Sequence, residues 1–155
     1  MYDIDEIMDM LDGNNSAEIQ EKGIELAKNI KSINAFILPL HKGCNKNVWE
    51  NCAKILATKS DEELKPYLSD LLEWLQDCNW PGALIILERL QNFTKTEWLC
   101  SAFKESVGLA MAYDDDMWLT WLEEMLVNEE LKKMLPIEMV NMLESIKSYY
   151  LNYDD

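Results

Sequence analysis

The sequence predicts an all-α fold: about ten short helices, paired as antiparallel hairpins. Three observations carry this. Apolar residues recur at three- and four-residue spacing along almost the whole chain, and no stretch alternates as a strand would. Helix-start signatures punctuate the runs, as in Asp3 to Glu6, Ser60 to Glu63 and Thr94 to Glu97. Five Gly and four Pro are too few for a β-sandwich with frequent turns. A chain of 155 residues with 48% hydrophobic content can build one sizeable core, so residues 1–155 are expected to form a single domain.

The first helix spans 3–11, with a capping-box pattern at Asp3-Ile4-Asp5-Glu6 and a stripe of Ile4, Ile7, Met8 and Leu11. Asp12 to Asn15 is a turn. Helix two starts at Asn15 or Ser16 and runs to about Lys31, with Ile19, Gly23, Leu26, Ala27 and Ile30 on one face. Glu18 and Lys22 are oriented for i,i+4 support. Residues 33–38 are an apolar piece ended by Pro39, and His41 to Lys46 is a loop. Asn47 to Glu50 opens a helix to about Thr58, with Val48, Cys52, Ile55 and Leu56 inward.

Ser60-Asp61-Glu62-Glu63 is the clearest capping box. Pro66 follows, and the residue before a proline resists the α region. The spacing therefore predicts a short turn at 61–65 and a main helix at 66–76, striped by Leu68, Leu71, Leu72 and Leu75. Pro81 fits the first position of a helix at 81–92. Ala83 to Leu87 is apolar nearly all round, so this helix is expected to be the most buried. Thr94 to Glu97 caps a helix to Tyr113. Asp114, Asp115 and Asp116 sit at the next helix start, where the dipole favours carboxylates. Trp118, Trp121, Leu122 and Met125 form its face. Asn128 caps a short helix at 129–134, and Pro136 opens the last one, with Val140, Leu143, Lys147 and Tyr150 along one stripe.

Short helices chained as hairpins point to an α-solenoid of the HEAT or armadillo type. The pairs are 3–11 with 16–31, 33–38 with 48–58, 66–76 with 81–92, and 95–113 with 115–126. The helix at 136–152 acts as a terminal cap. Successive pairs are about 31–33 residues apart, near a repeat length, although their sequences differ. A compact irregular bundle is the competing arrangement.

The net charge is −15. Residues 1–31 carry three basic and eight acidic groups, residues 32–113 eight and ten, and residues 114–155 three and eleven. No basic stripe exists to hold a phosphate backbone, which argues against nucleic acid. A basic protein partner, or solubility alone, accounts for the acidity. The acidic start at Met1 to Glu6 does not resemble a signal peptide, and no apolar stretch is long enough to span a bilayer. The four cysteines, Cys44, Cys52, Cys78 and Cys100, show no close pairing. A reduced, cytoplasmic protein is expected.

The most distinctive stretch is Trp74-Leu75-Gln76-Asp77-Cys78-Asn79-Trp80-Pro81-Gly82-Ala83. It resembles the W-L-x-D-x-N-W-P-x-A signature of a small bacterial family of HEAT-like helical proteins catalogued as a domain of unknown function. A looser likeness covers 47–93, the signature region is 48–93, and the tail after Tyr113 falls outside the likeness. The resemblance implies a helical hairpin. Related helical proteins occur in toxin–immunity loci.

Two readings of this corner compete. Asp77 and Asn79 beside Trp74 and Trp80 would make a recognition site. Alternatively, Asp77 or Asn79 accepts the unpaired N–H groups of the helix from Pro81, while Trp80 staples the turn. Tyr149 and Tyr153 are further binding candidates, because the last stripe cannot bury Tyr149, Tyr150 and Tyr153 together. The other tryptophans, Trp49, Trp98, Trp118 and Trp121, read as packing between helix pairs.

His41 and Cys44 have a spacing that zinc could use, with Cys52 nearby, but a structural site needs four ligands. A Cys–His nucleophile pair lacks a visible orienting group. The Asp114 to Asp116 run lacks the calcium-loop pattern and reads as helix capping. No metal and no cofactor are expected. The expected function is therefore a non-enzymatic helical-repeat module that binds a basic protein, with an immunity-type protein as one concrete version. A small-ligand binder or enzyme using the Asp77–Asn79 corner is the alternative.

Overall fold

In the computed structural model, the described residues are 2–38 and 45–153, with side chains described as far as Tyr149. The expected loop from His41 lies largely outside them. Among the described residues the chain is helical and has no strand. No described helix is long and apolar enough to cross a membrane.

Local side-chain chemistry sets many of the helix starts. α1 (Ile4–Met10) begins with the expected capping box of Asp3 and Glu6, and Ser16 caps α2 (Ala17–Ala27). The segment 33–38 forms a 3₁₀ turn at Asn34–Phe36, with Ile33, Phe36, Ile37 and Leu38 buried. A second 3₁₀ turn, Lys46–Val48, leads into α3 (Trp49–Ala57). Asn47 is therefore not the cap of α3: it lies within that turn, and its N–H donates to Asn45 Oδ1 at 3.0 Å.

Ser60 and Glu63 close the second capping box around α4 (Asp61–Leu64). The expected continuous helix at 66–76 is broken. A 3₁₀ turn at Lys65–Tyr67 precedes α5 (Leu68–Glu73), and another at Trp74–Gln76 follows it. Pro66 accounts for the first break, because its ring removes a helical donor.

α6 is Ala83–Gln91, α7 is Thr96–Ala112 and α8 is Asp116–Glu123, extended by a 3₁₀ turn at Glu124–Val127. Asp115 caps α8 by accepting from Trp118 N–H at 3.0 Å, and Asn128 caps α9 (Glu129–Met134) by accepting from Leu131 N–H at 3.1 Å. α10 is Ile137–Tyr153. It packs on α8, where Lys147 Nζ lies 2.8 Å from Glu123 and 3.0 Å from Glu124.

Four expectations are corrected. α6 is not the most buried helix: Leu84 is 58% exposed, whereas six of the nine residues of α3 are buried. Ile19 is exposed, although Gly23 and Ala27 of the same expected face are buried. Thr94 does not cap α7. Its hydroxyl donates to Asp61 at 2.6 Å, and the cap position, Lys95, has no side-chain bond to the helix. Lys22 reaches Tyr2 OH at 2.8 Å rather than supporting its own helix through Glu18.

Helix contacts follow a regular order. α1 packs on α2, α2 on α3, α3 on α6, and α6 on the turn at Glu124–Val127. In a second run of contacts α5 packs on α7 and α7 on α9. The buried apolar residues form one cluster from Ile7 to Leu143.

Candidate functional site

After α5 the backbone tightens into the turn at Trp74–Gln76, which places Trp74 wholly inside. Its indole N–H donates to Pro81 O at 3.1 Å, tying the two ends of the corner together. Asp77 is extended, and its Oδ1 accepts from Asn79 N–H at 2.8 Å. The Asp77 carbonyl accepts from Trp80 N–H at 3.0 Å. This is an Asx turn, in which a short carboxylate stands in for a backbone acceptor. Asn79 is exposed and Trp80 is half-buried.

Trp49 of α3 joins the two corner tryptophans. Its ring meets Trp74 edge-on at 6.2 Å and Trp80 edge-on at 5.9 Å, the arrangement that aromatic quadrupoles favour. Trp49 Nε1 is buried and has no hydrogen-bond acceptor among the described residues.

The expectation that Asp77 or Asn79 caps a helix from Pro81 is corrected. α6 begins at Ala83, and its cap is Gly82, in the left-handed region at φ 82°. A Cβ at Gly82 would stand 2.7 Å from Ala53 Cβ and 2.9 Å from Trp49 O. Glycine is thus required twice here, for its backbone angle and for the close approach of α6 to α3.

Burial, followed by the Asp77 and Glu124 carboxylates, pushes the Cys78 thiol up to about 12. A thiol so placed stays protonated and is a poor nucleophile.

Of the six binding candidates, Trp74, Asp77, Asn79 and Trp80 come together at this corner. Tyr149 lies on α10 and is 62% exposed. Tyr153 belongs to the same helix, but its side chain is outside the described set. The packing role expected for the tryptophans extends to Trp118, which is buried and donates from Nε1 to Leu72 O at 3.1 Å. His41 and Cys44 lie outside the described residues, and Cys52 is buried. Among the described residues no group of three or more His, Cys, Asp or Glu is placed to hold a metal. Asp115 serves as a cap, and Asp114 occupies the left-handed region at φ 52°.

Sequence reasoning missed Asp61. Its carboxylate accepts from Arg89 Nη2 at 2.6 Å, Thr94 N–H at 2.9 Å, Thr94 Oγ1 at 2.6 Å and Lys95 N–H at 3.3 Å. Burial alone would push the carboxyl up, but the bonds from Thr94 and Arg89 outweigh it and hold the group at about 2. No local pattern points to this hub, because its partners lie 28 to 34 residues downstream.

The fold is all-α among the described residues, with α5 and α6 joined through a tryptophan-built turn. The chain belongs to the family described as Domain of unknown function (DUF5071), whose model matches residues 38–152. The match continues past Tyr113 to residue 152, so the acidic segment expected to fall outside the family lies inside it. α1 and α2 precede the matched region. No curated protein and no solved structure matches the chain.

Proposed function

We propose that the chain is a HEAT-like helical-repeat module that binds a basic protein partner and is not an enzyme. The observation that carries this reading is the spacing of its long-range hydrogen bonds. Lys59 Nζ donates to Lys28 O at 3.1 Å, across 31 residues. Arg89 Nη2 donates to Lys59 O at 2.9 Å, across 30. Gln91 reaches Glu124 O across 33, and Asn128 reaches Phe93 O across 35. Bonds that recur at separations of 30 to 35 residues fit successive two-helix units laid side by side. Two runs of helix contacts support the reading: α5 with α7 and α7 with α9, and α2 with α3 and α3 with α6.

A stack of this kind offers an extended surface, and a charge of −15 selects a basic partner and speeds its approach. An immunity-type protein that covers a basic toxin is the concrete version of this reading, acting in the cytoplasm. The turn made by Asp77 favours a structural role for the W-L-Q-D-C-N-W-P corner.

The test is co-purification with the products of neighbouring genes, followed by titration against salt. Affinity is expected to fall at least about tenfold as ionic strength rises and screening sets in. An affinity indifferent to salt overturns the basic-partner reading.

A further inference from the structure

Between the start of α5 and the first half of α7 runs a surface groove of about 330 Å³. That is the low end of the roughly 300–1,000 Å³ range of ligand clefts. Its lining includes Trp98, Glu97, Glu105, Ser69 and Lys65. The Trp98 ring already attracts cations: Lys65 Nζ stands 4.3 Å from its centroid and Lys95 Nζ 5.8 Å. Glu97, Glu105 and both lysines are absent from the ion pairs seen among the described residues. At the end of α5, burial and then the Asp70 and Glu105 carboxylates push the Glu73 carboxyl above its usual range.

We propose that this groove receives an arginine side chain of the protein partner, stacked on Trp98 in place of the Lys65 ammonium and flanked by Glu97 and Glu105. The proposal deepens the reading above and rests on it. A guanidinium is planar and weakly hydrated, so it covers an indole face and still pairs with carboxylates. Lys65 is exposed and rides on a flexible stem, so it yields the ring to a better-fitting cation. The resident lysine is thus a placeholder that the partner displaces.

The test titrates the full chain with a capped peptide of alternating glycine and arginine, and with its citrulline counterpart, at about 20 mM salt to limit screening. The arginine peptide is expected to bind and the citrulline peptide to bind far more weakly. Trp98→Ala is expected to weaken binding about fivefold or more through loss of the cation–π face. The double surface change Glu97→Gln and Glu105→Gln leaves packing alone and is expected to weaken it by about the same factor. Lys65→Ala is expected to tighten binding about two- to fivefold more than Lys54→Ala, which removes the same charge from the exposed side of α3. If the arginine peptide binds and every variant matches the unaltered chain, the groove is the wrong place while the basic-partner reading stands. If the arginine peptide binds no better than citrulline, that reading and the groove both fall.

Discussion

Asp61 is the residue at which the most separate parts of the chain meet. It opens α4, pairs with Arg89 from α6, and accepts the N–H groups of Thr94 and Lys95 just before α7. Hydrogen bonds to a charged group contribute more than neutral ones, and leaving Arg89 without its partner adds a desolvation cost. The carboxyl titrates at about 2 in the fold against an ordinary 3.8. Because the folded value is lowered, the stabilisation is complete above about pH 4 and drains as pH falls toward about 2. Asp61→Asn is therefore expected to cost about 2 kcal/mol near neutral pH, with the gap to the unaltered chain closing in acid. Urea unfolding across that pH range checks this, and a gap that stays constant into acid contradicts it. Nothing local in Ser60-Asp61-Glu62-Glu63 announces such a role. That pattern announces a cap, and Ser60 with Glu63 supplies it.

At the scale of single elements, the sequence is most readable where a side chain serves its own backbone. Asp3, Ser60, Asp115 and Asn128 all cap the helices that their spacing predicts. Thr94 shows the limit. It stands one residue ahead of the cap position, which Lys95 occupies, and a carboxylate from a distant helix takes its hydroxyl. Exposure is similarly hidden. The run Ala83 to Leu87 is apolar, but which of its faces meets α3 depends on a partner far away in sequence, and Leu84 ends outside. The corner itself is half readable. Its tryptophans announce a packed turn, and Asp77 announces local hydrogen bonding. The left-handed step at Gly82 that moves the helix start from Pro81 to Ala83 is visible only in the fold. Two predictions belong here. Gly82→Ala is expected to destabilise the protein by about 2–4 kcal/mol, from backbone strain and overpacking against Ala53. Asp77→Ala removes one turn-closing bond and is expected to cost about 1 kcal/mol. Thermal or denaturant unfolding measures both, and a Gly82→Ala protein as stable as the original would sink the account of the corner.

At the scale of the whole molecule, the proposed stacking makes a statement about cooperativity. In a stacked array each unit holds only its neighbours, so damage stays local. Asn51 is buried in α3, and its amide donates to Leu11 O at 2.7 Å and to Gln20 Oε1 at 2.9 Å, joining the first unit to the second. Asn51→Ala is expected to speed native-state hydrogen exchange in α1 and α2 and to leave α8 and α10 unchanged. Acceleration spread evenly over the chain would point to one indivisible globule instead. The all-helical class was readable from the apolar spacing, whereas the partner of each helix was readable only in part: α5 packs on α7, and α6 on α3. The clasps between them were not readable, since Lys28, Lys59 and Arg89 show no shared local motif beyond their interval. Those clasps have a consequence for how such a chain can lengthen. Lys59 and Arg89 each grip a main-chain oxygen of the preceding unit, an atom that every amino acid carries. A joint of this kind makes no demand on the identity of the residue it holds, so a further hairpin can be appended without rewriting the one already there. On the proposed stacking, the segment ahead of the family boundary, held by Lys59 at Lys28 O, takes the form of such an added link.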